Sequence, residues 1–296
     1  MTQEDSVRIT GNRMLELASL AANKAQDDVA TLSAQLTSGK RVEKPSDDPE
    51  AWAQSRRLAL RQVVSEGRGS ALAFGQDQLN ETDRALASIG TITAEAKELA
   101  IQAAADSLNA RDRAALQERV NGLFELARTA ANTRGVSGDY LLAGAQSDKE
   151  PFDAAGAYWG DAGTRQIETG EASLGEASVA GSVLTAASGV DVLPAIQRLA
   201  TALGANDIVG IRKAIDEMTT AHTQVSVART AVGDMSAVLA DADDARGELE
   251  LTLQGRIANM TEVDVLGAAS ELAKRTAALD AAQIVNARLA QMLQPK

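Results

Sequence analysis

The sequence has no cysteine, one histidine and five prolines in 296 residues, and aromatic residues make up only 2% of it. Without cysteine there is no disulfide and no zinc or iron–sulfur site built on thiolates. With His222 as the sole histidine, neither a histidine-based triad nor a multi-histidine metal site can form within the chain. Large rings normally fill the volume of a thick globular core. Here alanine, leucine and valine must do so, within a hydrophobic fraction of 45%, which suits thin helical bundles whose backbones approach closely. Basic residues are also short: the formal charge is −12, and phosphate binding needs a basic footprint, so no nucleic-acid partner is expected. No apolar run approaches the ~18 residues that span a bilayer, so no membrane insertion is expected either. The opening MTQEDSVRIT lacks the layout of a secretory signal peptide, which predicts that any export uses a route other than a cleaved signal.

What the chain does have is heptad patterning at both ends. Leu15, Ala18, Ala22, Ala25, Val29, Leu32 and Leu36 alternate spacings of three and four, the seam of a coiled coil. A second pattern starts near Glu50 and continues through Leu58 and Val63. It is weakened at Ser65-Glu-Gly67-Arg-Gly69-Ser70, then resumes at Leu72, Leu79, Leu86, Ile89, Thr93, Ala96, Ala100 and Ala103. Asp106–Asp112 reads as a turn, and Leu116, Val120, Leu123, Ala127 and Ala130 mark a shorter helix. The longest seam runs Ile208, Ile211, Ile215, Met218, His222, Val225, Arg229, Val232, Ser236, Leu239, continuing with shifts through Leu249, Leu253, Ile257 and Met260. Leu272, Leu279, Ala282, Asn286, Leu289 and Leu293 close the chain.

Between Gly135 and Gly189 the heptads vanish and turn residues become dense. Tyr140, Phe152, Tyr158 and Trp159 cluster there, and Tyr158-Trp159 and Arg165–Thr169 read as short strands. The expected fold is therefore mainly α with a small β-rich insertion. Its body is an elongated antiparallel coiled-coil or helical bundle made by the N- and C-terminal segments, since long heptads must bury their seams against other helices. Three regions are expected: terminal coiled-coil segments 1–45 and 260–296 as an assembly core, a helical bundle of 46–138 and 190–259, and a β-rich insertion at 139–189.

No catalytic, cofactor-binding or metal site is expected. His222 and Met218 lie on a seam and read as packing elements. Asp47 and Asp48 are adjacent carboxylates, but between prolines in a turn they read as helix caps rather than an acid–base pair. Asp241-Ala-Asp243-Asp244 lacks the glycine and spacing of an EF-hand loop and reads as a solvated helix face. The glycosylation triplets Asn80-Glu-Thr82 and Asn259-Met-Thr261 fall within expected helices.

One stretch, Leu36-Thr-Ser-Gly39-Lys-Arg-Val-Glu-Lys-Pro45-Ser-Asp-Asp-Pro49, joins the first two heptad patterns. Gly39 reads as a left-handed cap, and Asp48-Pro49 as an N-cap with proline at the first helical position. This turn resembles the SG-x-R-(I/V)-x-x-P-x-DDP turn of the flagellin superfamily, in the form typical of the hook-associated protein 3 family. Val7-Arg8-Ile9-Thr10, Asn109-Ala-Arg-Asp112-Arg113, Ala131-Asn132-Thr133, the segment Tyr140–Phe152, Tyr158–Asp161, Arg165–Glu168 and Leu272–Leu279 are similar to further family segments in the same order. Met1–Ser6 precede the family-like start, Leu142 stands where the family usually has Phe, and Leu289–Lys296 lacks the leucine-rich finish of relatives.

The resemblance implies a structural, non-enzymatic part of the bacterial flagellum that joins hook to filament. It implies self-association in a ring-like or helical layer, with hook-associated protein 1 and flagellin as neighbours. It also implies an extracellular location reached through the flagellar export apparatus and its chaperone. Two alternatives remain: a filament-forming flagellin, and a cytoplasmic signalling coiled coil.

Overall fold

The computed structural model describes residues 3–292, with side chains from residue 13 onward. Six α-helices and one two-stranded sheet follow in the order α1 (Gln3–Ser38), α2 (Pro49–Ala103), α3 (Ala110–Ala131), β1 (Gln166–Glu168), β2 (Leu174–Glu176), α4 (Val192–Gly204), α5 (Ile208–Thr261) and α6 (Val265–Met292). A short 3-10 turn, Gly181–Leu184, precedes α4. The chain divides into two compact units, one of residues 1–63 and 250–296, the other of 64–249.

In the second unit, α2 and α5 run antiparallel. Gln76 meets Ser236, Asp83 holds Arg229 through two contacts of 2.8 and 3.0 Å, and Thr93 approaches His222. The expected seam of α2 is buried throughout, from Leu72, Leu79, Leu86 and Ile89 to Ala96, Ala100 and Ala103. Helix α3 adds Val120, Leu123 and Ala127, and packs against α4, whose Leu193, Ile196, Leu199 and Leu203 are fully buried. Asn109 starts α3 with a capping box: its side chain accepts from the Arg111 and Asp112 amides, and Asp112 accepts from the Asn109 amide. Arg113 is only 5% exposed. It donates to the Ala103 and Ala105 carbonyls and to Asn206 Oδ1, closing the end of α2 onto the α4–α5 turn.

The segment between α3 and α4 is mostly turns. Asn132 clamps Phe152, donating to its carbonyl and accepting from its amide at 2.8 and 3.0 Å, and the Phe152 and Tyr158 rings stack at 5.1 Å. Asp161 Oδ1 accepts from the Ala145 and Gly163 amides. Arg165 donates to Gln78 Oε1 and so ties the segment to α2. Leu142, which stands where the resembled family usually has Phe, is buried at 1% exposure.

Several details differ from the sequence reading. Helix α2 passes unbroken through Ser65–Ser70, because its backbone bonds persist where side-chain support thins. Val63 is 63% exposed rather than on a seam. Tyr158-Trp159 is not a strand; Phe152 and Tyr158 share a single bridge. The partner of β1 is Leu174–Glu176, antiparallel with Ile167 opposite Gly175, in a stretch read only as turns. His222 and Arg229 stand exposed at the edge of the α5 seam, while Ala221 and Ala228 are buried.

In the first unit, α1 and α6 pack together. The expected heptad positions of α1 are the shielded ones: Ala22 is buried, and Leu15, Ala18, Ala25, Val29, Leu32 and Leu36 are half-buried. In α6 Leu272, Leu279, Ala282, Asn286 and Leu289 are half-buried; Leu293 lies outside the described residues, as does the rest of the C-terminal tail. The side chains of Met1–Ser6 and Val7–Thr10 lie outside them too.

Candidate assembly site

The joining turn of residues 36–49 is fixed by a dense set of hydrogen bonds. Gly39 sits at φ 72° and ends α1, a backbone state that side chains with a Cβ adopt at a cost. The chain beyond it lies against the turn that joins α5 to α6. The amides of Arg41 and Val42 donate to the Thr261 carbonyl at 2.7 and 3.2 Å, and the Val263 amide donates to the Gly39 carbonyl at 3.0 Å. Lys40 and Glu262 form the bridge pair at the centre. The Arg41 guanidinium extends this clasp in two directions, to Asp48 Oδ2 at 3.1 Å and to the Met260 carbonyl at 2.8 Å. Val42, 2% exposed, is the buried apolar plug beneath it.

The two aspartates have separate structural tasks. Asp48 Oδ1 accepts from the Ala51 amide at 3.0 Å, the N-cap contact that starts α2. That amide bond first, and the Arg41 side chain second, hold the Asp48 carboxyl below its ordinary pKa of 3.8. Asp47 Oδ2 instead accepts from the Glu43 and Lys44 amides at 3.1 Å each, so it organises the turn and caps no helix. A groove of about 580 Å³ opens beside the clasp, lined in part by Val42, Trp52, Ile257 and Thr261. The Arg56 guanidinium sits 5.6 Å from the Trp52 ring at its rim.

Large apolar side chains stand exposed on both α1 and α6, interspersed with charged ones such as Lys24, Asp27 and Lys274. Met14, Leu17 and Leu20 on α1 are 58–62% exposed, and on α6 Leu266, Ile284 and Val285 are 85%, 56% and 51% exposed. No residue of α6 is buried. Among the described residues, the α1–α6 pair is held by half-buried seam residues and by polar contacts that include Arg275 to Asp28 at 3.0 Å and Asn286 Nδ2 to the Ala18 carbonyl at 3.1 Å. Arg275 also holds Glu271, whose carboxyl is lowered by that hydrogen bond. Such a surface can do one kind of chemistry well, the burial of apolar area against a neighbour.

The other residues singled out in the sequence are scattered. His222 Nδ1 lies 3.1 Å from the Gly90 carbonyl and 3.5 Å from Thr93 Oγ1, a hydroxyl that itself donates to the Gly90 carbonyl at 2.8 Å. Met218 is fully buried. Asp241, Asp243 and Asp244 continue α5, with Asp243 paired to Arg246 at 2.7 Å. Asn80 and Asn259 are exposed within α2 and α5. Among the described residues no group of three His, Cys, Asp or Glu is placed to hold a metal ion, and no helix is long and apolar enough to cross a membrane. Sequence reasoning missed the clasp itself. Its signal was the pairing of Gly39-Lys-Arg with a second break in the heptads at Glu262–Asp264, which the continuing apolar pattern obscured.

The comparisons with known proteins converge on this arrangement. The family model for the bacterial flagellin N-terminal helical region matches residues 9–147, which hold most of α1, the clasp turn, α2, α3 and the start of the inserted segment. The chain is 30% identical to flagellar hook-associated protein 3 of Salmonella typhimurium over 155 residues, covering 52% of this chain and 49% of that one. It is 32% identical to flagellar hook-associated protein 3 of Escherichia coli over 129 residues, 43% of this chain and 41% of that one. It thus spans about half the length of the curated relatives it matches. In fold it resembles a putative flagellar hook-associated protein from Vibrio parahaemolyticus, with a TM-score of 0.68 at 19% identity, over 73% of this chain and all of that one. FlgL from Xanthomonas campestris gives 0.60 at 17% identity, over 69% and 99%. The resemblance first carried by the Gly39–Pro49 turn is therefore met in both sequence and fold: over about half its length the chain is similar to flagellar hook-associated protein 3, and its fold is similar to that of solved hook-associated proteins.

Proposed function

We propose that the protein is a structural component of the bacterial flagellum, an adaptor in the junction between hook and filament. The observation that carries this reading is the first unit: two long helices clasped in register, with an apolar surface still facing outward and no buried residue on α6. A helix in that condition gains its missing buried area from neighbours, so its folding is coupled to association. Segments 1–45 and 260–296 form the assembly core in this reading, 46–138 and 190–259 the supporting bundle, and 139–189 an insertion on that bundle. A head-to-tail contact that does not close on itself propagates along an axis, and a junction layer meets one kind of neighbour below and another above. Those neighbours are hook-associated protein 1 and flagellin, and delivery is by the flagellar export apparatus with its chaperone, without a cleaved signal.

The second reading is a filament-forming flagellin, favoured by the flagellin N-terminal match itself. The Pro45-Ser-Asp-Asp-Pro49 turn and the Tyr140–Phe152 segment weigh against it. Deleting the gene separates the two. An adaptor leaves hooks intact while unassembled flagellin is shed into the medium. A flagellin leaves hooks bare with no filament protein released. Finding the chain confined to the cytoplasm and absent from detached flagella would overturn both.

A further inference from the structure

Helices α2 and α5 share an apolar seam that ends at Leu72 on one side and Leu239 on the other. Beyond that point the character of the contact changes. Going toward the start of α2, the next buried residue after Leu72 is Ser65, and on α5 none is buried between Leu239 and Leu253. Glycines occur on both helices here, Gly67 and Gly69 on α2 and Gly247 on α5. They lie at one level, because a Cβ on Gly69 would stand 2.8 Å from Arg246 Nε.

Gly69 therefore has a packing reason, since it makes room for the Arg246 side chain. Gly67 and Gly247 have none: a Cβ on either would meet nothing within 4 Å. Glycine inside a helix without such a reason weakens it relative to alanine, since it has more freedom to lose on becoming helical. The polar groups of the level are also incompletely matched. Ser65 Oγ and Arg68 Nε are buried without a hydrogen-bond partner, although the Arg68 head group reaches Glu168 at 3.6 Å. Gly233 on α5 likewise touches nothing, but the stretch of α2 opposite it, between Gln76 and Asp83, has no glycine and buries Gln78, Leu79 and Thr82.

We propose that Ser65–Ser70 of α2 and Arg246–Gly247 of α5 form a bending joint, where both helices open and curve together while the seam from Leu72 inward stays closed. Paired glycines with a polar layer between them are what permits this. A single weak helix would be splinted by its neighbour, and an apolar layer would resist opening.

Hydrogen exchange read by mass spectrometry on the full-length, unassembled chain tests it. Amides of 66–71 and 246–251 should exchange at least about tenfold faster than those of 76–83 and 229–236. The double variant Gly67→Ala/Gly247→Ala should slow the joint about fivefold for each glycine replaced, leaving 76–83 unchanged. Gly233→Ala should slow α5 near residue 233 alone. Wild-type exchange at the joint as slow as at 76–83, slowing spread evenly along both helices, or no slowing in the double variant would each overturn the proposal. The measurement needs no assembled flagellum, so its outcome is separate from that of the junction reading.

Discussion

The two units of this chain use one device, the long heptad-patterned helix, to opposite ends. In residues 64–249 the seam positions are closed: Leu72, Leu79, Leu86 and Ile89 are at most 1% exposed, and α3, α4 and the inserted segment cover them. In residues 1–63 and 250–296 the matching positions of α1 and α6 stay half-buried, and large apolar side chains line the solvent-facing sides. The difference is one of layers. A helix pair shields only the stripe between its members, and a third and fourth element are needed before a leucine loses its last contact with water. The second unit contains those elements. In the first, among the described residues, α1 and α6 pack mainly on each other, and the clasp ties the 39–42 and 261–263 backbones together.

The sharpest way to break this comparison is to remove equivalent leucines from each unit. Leu86→Ala should destabilise the isolated chain by about 3 kcal/mol, through lost transfer energy and the cavity left among α2, α3 and α5. Leu279→Ala on α6 should cost well under 1 kcal/mol in the same denaturant titration, because its site is already half open, and under the proposed junction role its effect should appear in incorporation into flagella. Equal losses from both variants would mean that the first unit has a closed core after all. Next in size is Arg113→Met, which leaves the Ala103 and Ala105 carbonyls and Asn206 without their donor. A loss of about 2 kcal/mol is expected from thermal unfolding, all of it in the second unit.

Much of this was legible before any coordinates. Heptad spacing located the seams of α1, α2 and α6 almost residue for residue, because burial in a helix pair depends on spacing more than on residue size. It failed at His222 and Arg229, where the α5 seam shifts onto Ala221 and Ala228. Alanine is so frequent in this chain, on seams and off them, that spacing alone did not choose between His222 and its neighbour Ala221, or between Arg229 and Ala228. The sheet was half legible. Gln166–Glu168 carries alternation around Ile167, but its partner Leu174-Gly175-Glu176 has one apolar side chain, 62% exposed, and offers no strand signal. The helix-starting role of Asp48 followed from its place before Pro49. The clasp did not follow from the heptad pattern, since its core is main-chain bonds between 39–42 and 261–263, far apart in the chain, and such pairings leave no periodic signal in the side chains.

The clasp can be probed more gently at Gly39. Alanine there meets no neighbour within 4 Å, so only the left-handed backbone resists it. A cost of about 1 kcal/mol is expected, confined to the first unit and read as faster amide exchange at Arg41, Val42 and Val263. Loss of protection reaching Leu86 or Ile196 would show that the two units unfold as one, and would remove the basis of the contrast.

The smallest effect expected is a dependence of the clasp on acid. Asp48 accepts the Ala51 amide and the Arg41 guanidinium, and both favour its ionised form, so its folded pKa lies below 3.8. A depressed carboxyl contributes stability that is fully present above the unfolded pKa and is lost as pH falls through the folded value. The clasp amides should therefore keep constant protection, after correction for intrinsic exchange, from neutral pH down to about 4, and lose part of it below. Asp48→Asn keeps a capping oxygen for the Ala51 amide but removes the charge that Arg41 meets. In that variant the acid-dependent step should disappear while α2 still starts at Pro49. A step of unchanged size in Asp48→Asn would assign the acid response to a group other than Asp48.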